Sequence, residues 1–253
     1  MTPEQVRARA RAGDLSGPTC GLAAGYLQAN LVVVPKSIAF DFLLFCQRNP
    51  KPCPLLEVTD PGVPEPRELA PGADLRTDLP RYRVYQQGQL VDEPTDIWRW
   101  WRDDLVAFMI GCSFSFEEAM QRAGLPVRHV EQGCNVPMYR TNIPCKPAGI
   151  FHGPTVVSMR PLTGPQSIRA VEITSRFTKA HGAPIHIGEP GAIGISHIDR
   201  PDFGDPVTIH PGEVPVFWAC GVTPQAVLMT VMPELAITHS PGCMFVSDVR
   251  AAD

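Results

Sequence analysis

The chain has 253 residues, 44% of them apolar and 19% charged, with a formal net charge of -4. A chain of this length buries roughly three quarters of its unfolded surface without disulfides, and the composition is that of a globular protein. The weak negative charge and scattered Lys and Arg give no electrostatic footprint for nucleic acid or an anionic membrane, so neither is expected as a partner. No apolar run approaches the ~18 residues of a membrane span, and no apolar signal segment follows the basic N-terminus, which makes the cytoplasm the expected location. Eight cysteines with neither a C-x-x-C pair nor zinc-site spacing are expected as reduced thiols, with no metal or other cofactor. The 28 prolines, spread over the whole chain, imply many tight connections between short elements.

In chain order, Thr2-Pro3-Glu4-Gln5 predicts a capped helix running to about Ala12. Thr19 to Asn30 reads as a second helix, Leu31 to Val34 as a short apolar stretch, and Ser37 opens an apolar helix that stops at Asn49-Pro50. Leu55 to Thr59 is a strand, Asp60 to Pro80 a proline-rich surface loop, Tyr82–Tyr85 and Gln89–Val91 a hairpin, and Asp96 to Arg102 a short helix carrying Trp98, Trp100 and Trp101. Leu105 to Ile110 is an apolar run of strand length that turns through Gly111-Cys112-Ser113 into a helix, whose start matches the capping box Ser115-x-x-Glu118 and which continues to Gly124.

The stretch Gln132 to Cys145 holds two prolines and many hydrogen-bonding groups, and reads as an irregular segment. Thr155–Arg160, Ile168–Ile173, Pro184–Ile187, Pro206–Ile209 and Met244–Val249 read as strands, with a short helix over Thr174–Ala180. A second strand-turn-helix unit appears at Val214–Ala219, Cys220-Gly221-Val222 and a helix capped by Thr223, reaching Val231; Pro215 suits a first or edge position. Cys112 and Cys220 therefore end strands and face helix starts, where free N–H groups attract anions and lower a thiol pKa. Core packing is the competing reading for each cysteine.

Five strings resemble those of the hydro-lyase family that includes the D-glutamate cyclase domain: Ile110 to Glu117, Asn135 to Cys145, Phe151-His152-Gly153 with Ser158 to Pro161, His181 to Gly188, and Pro215 to Gln225. The resemblance implies an α/β protein, and the strand-turn-helix units agree with it; the expected arrangement is a main three-layer domain built on a mixed sheet with a smaller inserted α+β subdomain, and the order of elements along the chain puts the boundaries at 1–130 and 205–253 for the first and 131–204 for the second. It implies loss of water from D-glutamate to give 5-oxo-D-proline. The open alternatives are a hydratase, dehydratase or cyclic-amide hydrolase for another small acid, and a non-catalytic carboxylate sensor.

Such a cyclase must hold a carboxylate, fold the amine onto the γ-carboxyl group, move protons and stabilise an oxyanion. Arg140 and Arg160 suit the carboxylate, and Asn135, Asn142 and the N–H groups after Cys112 suit the oxyanion. Thr141, Cys220 and Gly221 complete the expected binding set, while Ser113, Tyr139, His186 and the thiols of Cys112 and Cys145 are the candidates for chemistry. The expected partner is a small amino or carboxylic acid, with self-association into a homo-oligomer left open.

Overall fold

The computed structural model describes residues 1–251, in six α-helices and eleven strands. Helix α1 (Pro3–Arg11) has the expected capping box, formed by Thr2 and Gln5. Next come β1 (Tyr26–Pro35), α2 (Lys36–Arg48), β2 (Leu55–Val58), β3 (Tyr82–Gln86), β4 (Gln89–Asp92) and β5 (Leu105–Gly111). The middle of the chain holds α3 (Phe114–Arg122), the single turn α4 (Arg128–Glu131), β6 (Met138–Pro144), β7 (Pro154–Thr163), α5 (Gly164–Thr174) and β8 (His186–Ile187). The last elements are β9 (Glu213–Ala219), α6 (Val222–Val231), β10 (Ala236–His239) and β11 (Phe245–Arg250).

Two sheets result, and among the described residues every strand pairing is antiparallel. The first runs β2-β5-β1-β10-β3-β4, with β11 also on β1; the second runs β6-β7-β9-β8. The protein is thus α/β, but the expected mixed sheet is replaced by two antiparallel ones. The reason lies in where each strand-turn-helix unit leads. From β5 the chain passes through α3 into β6 of the second sheet, and from β9 through α6 into β10 of the first, so neither unit returns to a parallel neighbour.

The two sheets contain the same motif twice. In the first, β1 runs directly into α2, β2 follows, and β5 then pairs between β2 and β1 before Cys112 and α3. In the second, β7 runs directly into α5, β8 follows, and β9 pairs between β8 and β7 before Cys220 and α6. The registers match: Ala29↔Gly111 to Pro35↔Leu105 corresponds to Val157↔Ala219 to Thr163↔Glu213. The hydrogen bonds beyond them match as well. Cys112 N–H donates to Gln28 O (3.1 Å) and Cys220 N–H to Val156 O (2.9 Å). In return the Ser115 hydroxyl accepts from Gln28 N–H (3.0 Å) and the Thr223 hydroxyl from Val156 N–H (2.9 Å). Of this internal repeat, the sequence displays only the two closing strand-turn-helix units.

These bonds explain two departures from expectation. Ser115 and Thr223 do not cap their helices, because their hydroxyls are committed to the neighbouring strand; the helices start earlier, after Ser113 and Gly221, with no side-chain cap bond. The other differences have local causes. The expected helix from Thr19 to Asn30 is absent: residues 20–25 form turns, and Tyr26 to Asn30 is strand, paired with β11 as far as Ala29 and with β5 from Ala29 on. Ile168–Ile173 belongs to helix α5, started by a Thr163–Gln166 capping box and Pro165. Part of the irregular central stretch is strand β6, with its ladder interrupted between Arg140 and Pro144. Pro206–Ile209 forms no strand. Pro215 sits inside an interior strand opposite Pro161, a pairing that neither residue could serve with an N–H and that therefore falls between hydrogen-bonded pairs.

Helix α3 is tied to the second sheet by a buried ion pair. Arg160, on β7, is fully buried, reaches the Glu117 carboxylate, donates to Ser158 Oγ (3.0 Å) and Ser113 Oγ (3.1 Å), and stacks against Phe116 and Trp218. Burial pushes the Glu117 carboxyl up, but the Arg160 guanidinium and His129 outweigh it and leave the group below its ordinary range. Removing one partner of such a pair costs about 3–5 kcal/mol, while replacing both with apolar groups is often neutral. Urea denaturation should therefore show Arg160→Met strongly destabilised and the Arg160→Met/Glu117→Leu double variant recovering most of the loss. Equal midpoints for the two would remove the ion pair from the account of how the sheets are joined.

Candidate active site

The two helix starts open onto one cavity of about 290 Å³, at the small end of ligand pockets and of a size for a metabolite. Cys112, Ser113 and Phe114 line it from the first unit, and Cys220, Val222, Gln225, Ala226 and Met229 from the second. The α6 residues recur at helical spacing, so one face of that helix borders the cavity while Val227 and Leu228 pack into the core beneath. Asn135, Met138 and Arg140 close it from the β6 side, and Arg83, Tyr85 and His239 from β3 and β10.

A break in the first sheet makes room for this cavity. On one side of β1, β11 pairs with Tyr26 to Ala29 and β10 with Val32 and Val33, so Asn30 and Leu31 fall between two strands laid end to end. The unpaired Leu31 N–H is taken by a side chain, His239 Nδ1, at 3.1 Å. That bond puts the hydrogen of a neutral ring on Nε2, and the Gln225 amide lies 3.2–3.3 Å from the ring nitrogens. Asn30 fills the rest of the gap. Its Nδ2 donates to Gly111 O (2.9 Å) and Ile110 O (3.2 Å), and its amide lies against Gly221, where an added Cβ would come within 2.2 Å of Nδ2. One side chain is thus bonded to the strand end before Cys112 and packed on the glycine after Cys220.

The electrostatics favour an anion. The lining contains Arg83, Arg140 and the starts of two helices, and no carboxylate. Arg83 is held by Glu93 at 2.5 Å. The Arg140 guanidinium pairs with no carboxylate among the described residues and lies 5.4 Å from the Phe203 ring; only its backbone N–H is bound, to Asp202. Burial pushes the Cys220 thiol up to about 11 and Cys112 higher still, against the N–H groups of Val222 and Phe114 that face the two sulfurs. Among the described residues, no group of three His, Cys, Asp or Glu side chains is arranged to hold a metal.

Of the residues singled out from the sequence, Cys112, Ser113, Asn135, Arg140 and Cys220 line the cavity, and Gly221 lies beside it under Asn30. The others sit elsewhere. Strand alternation puts Tyr139 on the opposite face of β6 from Met138 and Arg140, in a cluster with Phe217, its hydroxyl donating to Ile198 O (2.6 Å). Thr141 donates to Thr155 O, Cys145 is buried against Thr155, and Asn142 packs on Gly194. His186 lies on the short strand β8 with Nε2 near Glu189 O (2.8 Å), and Arg160 is taken up by Glu117. Asn30, Arg83, Tyr85, Gln225 and His239 are the cavity groups that the sequence reading left without a role. The available signal was Asn30, next to the otherwise apolar run Leu31 to Val34.

Residues 106–248, from β5 into β11 and including both cysteine turns, match the D-glutamate cyclase family. The chain belongs to that family. Similar full-length proteins include one from Bacillus licheniformis, 64% identical over 250 residues, covering 99% of this chain and 95% of the relative. Others come from Stutzerimonas stutzeri and Thermoanaerobacter pseudethanolicus, each 62% identical over 250 residues, 99% of this chain and 94% of the relative. All three carry the name "Putative hydro-lyase". The family match begins after Asn30, Arg83 and Tyr85, so part of the cavity wall comes from outside the matched stretch. No helix among the described residues is long and apolar enough to cross a membrane.

His239 and His181 are both buried, and burial lowers the pKa of each from 6.5 to about 4, with the carbonyls of Leu31 and Lys51 nearby acting in the other direction. Between pH 6.5 and 4 the unfolded chain binds these protons and the folded one does not, so folding stability is greatest above 6.5 and falls as pH drops through that window. Each histidine accounts for a loss of about 3 kcal/mol. Denaturation midpoints followed from pH 7.5 to 4 should show this decline, and His239→Gln should flatten it by about half.

Proposed function

We propose that the cavity binds a small amino dicarboxylic acid and that the protein acts as a hydro-lyase of the cyclase type, converting D-glutamate to 5-oxo-D-proline and water. The observation that carries this reading is the pairing of an uncompensated Arg140 with two helix starts around one metabolite-sized space. A substrate with carboxylates at both ends needs two anion holders, and a guanidinium and an N–H-lined helix start are complementary in kind.

In this reading Arg140 holds one carboxylate at the cavity edge. The other lies at the helix starts, where the N–H groups of the Cys112 and Cys220 turns balance negative charge as it develops on oxygen. Holding both ends bends the chain so that the amine meets the γ-carboxyl carbon, replacing an encounter by a positioned attack. Asn135 and the Nε2–H of His239 supply further donors for the oxyanion and the departing hydroxide. His239 is neutral at pH 7 and serves as a donor, not as the base. Family membership supports the same reaction class, and the relatives' shared name supports loss of water.

Proton NMR of the protein with D-glutamate, L-glutamate and a panel of small amino and hydroxy acids tests the proposal. D-glutamate should give 5-oxo-D-proline, and Arg140→Ala should reduce kcat/KM by about 10²-fold, the worth of a charge-assisted carboxylate contact. Thermal stabilisation by D-glutamate without product would favour a sensor instead.

A further inference from the structure

We propose that Cys112 and Cys220 act as a matched pair of acid and base on opposite sides of a bound α-carbon, so that the cavity also exchanges the Cα hydrogen of an α-amino acid and inverts its configuration. The inference rests on reading the cavity as a carboxylate site, not on cyclisation. The two thiols occupy the same position in two copies of one motif: each follows the last residue of the inner strand, donates its N–H across to the neighbouring strand, and has its sulfur met by the N–H two residues on. The copies hand their helices to each other's sheet, so the two turns reach the cavity from different sheets, with Asn30 bonded to Gly111 and packed on Gly221, and both thiols line the space.

Both side chains are more than nine-tenths buried. The Cys220 thiol donates to a weak acceptor, Met138 Sδ at 3.5 Å, and neither thiol is in a disulfide. A pair of nucleophilic groups held this way, in a lining without carboxylates, is more than core filling requires. Burial raises both thiols, and Cys220, which also feels Arg160 pulling it down and Glu117 pushing it up, is the less strongly raised.

The step balances without a cofactor. Cys220 as thiolate removes the Cα hydrogen, and the electron pair passes into the carboxylate as an enediolate held by the helix starts. Cys112 as thiol then delivers its hydrogen to the opposite face. The product is the other enantiomer, and the two sulfurs have exchanged protonation states, which solvent resets. Two helix dipoles aimed at one carboxylate favour the doubly charged enediolate over the singly charged ground state, which is the difference catalysis needs.

Incubating the whole protein with D-glutamate or L-glutamate in D2O, read by proton NMR and chiral chromatography, tests this. The expected result is loss of the Cα proton signal with appearance of the other enantiomer. That product should be deuterated from the first turnovers while unreacted substrate keeps its hydrogen, because the incoming hydrogen comes from a different thiol. Cys112→Ser and Cys220→Ser, with melting temperatures checked, should each lose inversion by about 10²–10⁴-fold. Each should retain exchange for one enantiomer only, and the two variants should differ in which.

Conversion of D-glutamate to 5-oxo-D-proline with hydrogen retained at Cα overturns the inference and leaves cyclisation standing. Exchange without cyclisation does the reverse. No exchange with either enantiomer, bound or unbound, overturns it too, as does equal loss for both enantiomers in folded variants.

Discussion

Each of the two strand-turn-helix units leads from one sheet into the other, and a reciprocal pair of hydrogen bonds, one given by the backbone and one accepted by a side chain, fixes the first turn of its helix to the neighbouring strand. Cys112 and Cys220 donate to the strand beside them, while Ser115 and Thr223, three residues later, accept from it. With the N–H and C=O of Gln28, near the start of β1, and of Val156, near the start of β7, both committed to the opening turn of a helix, the helix cannot continue along the sheet. It leaves across the gap between the sheets, and the following strand finds its partners on the far side. The cavity, and the convergence of two helix starts and two thiols on it, descend from that local arrangement.

The charges buried alongside are few and specific. A fully desolvated Arg160 with Glu117 is no large source of stability, since the cost of removing both ions from water nearly cancels their attraction. Its worth lies in register: the guanidinium joins Glu117 and Ser113 of one unit to Ser158 of the other, and no shifted packing of α3 on β7 would satisfy all of them. Asn30 does the same with neutral groups on the other side. A polar side chain in the middle of an apolar strand is tolerated because the sheet is interrupted there and two carbonyls await a donor.

Local signals in the sequence were read correctly where they act locally. The Thr2 capping box, the α2 helix, the hairpin of β3 and β4, and both strand-turn-helix units have the expected type and nearly the expected bounds. What failed was information held by partners distant in the chain. Ser115 looks like a cap until Gln28 claims its hydroxyl; Tyr26 to Asn30 looks helical until Gly111 and Phe245 flank it. The same holds for the cavity. Cys112, Cys220, Asn135 and Arg140 were legible as residues of a chemical type beside turns. Asn30, Arg83 and His239 were not, because their role depends on a gap between two strands that no single stretch of sequence displays.

The end-to-end placement of β10 and β11 on β1 also governs how the molecule must be assembled. Tyr26 pairs with Arg250 and Val32 with Thr238, so an early strand stays half unpaired until more than two hundred further residues have been added. Closing loops of that size is slow, and an apolar strand waiting with one open edge is prone to pair with the wrong neighbour. During synthesis β5 emerges long before β10 and can occupy the other edge of β1, leaving a two- or three-stranded platform. The anion site is therefore among the last parts of the molecule to exist: its wall is completed when the chain's final strands close over the gap at Leu31.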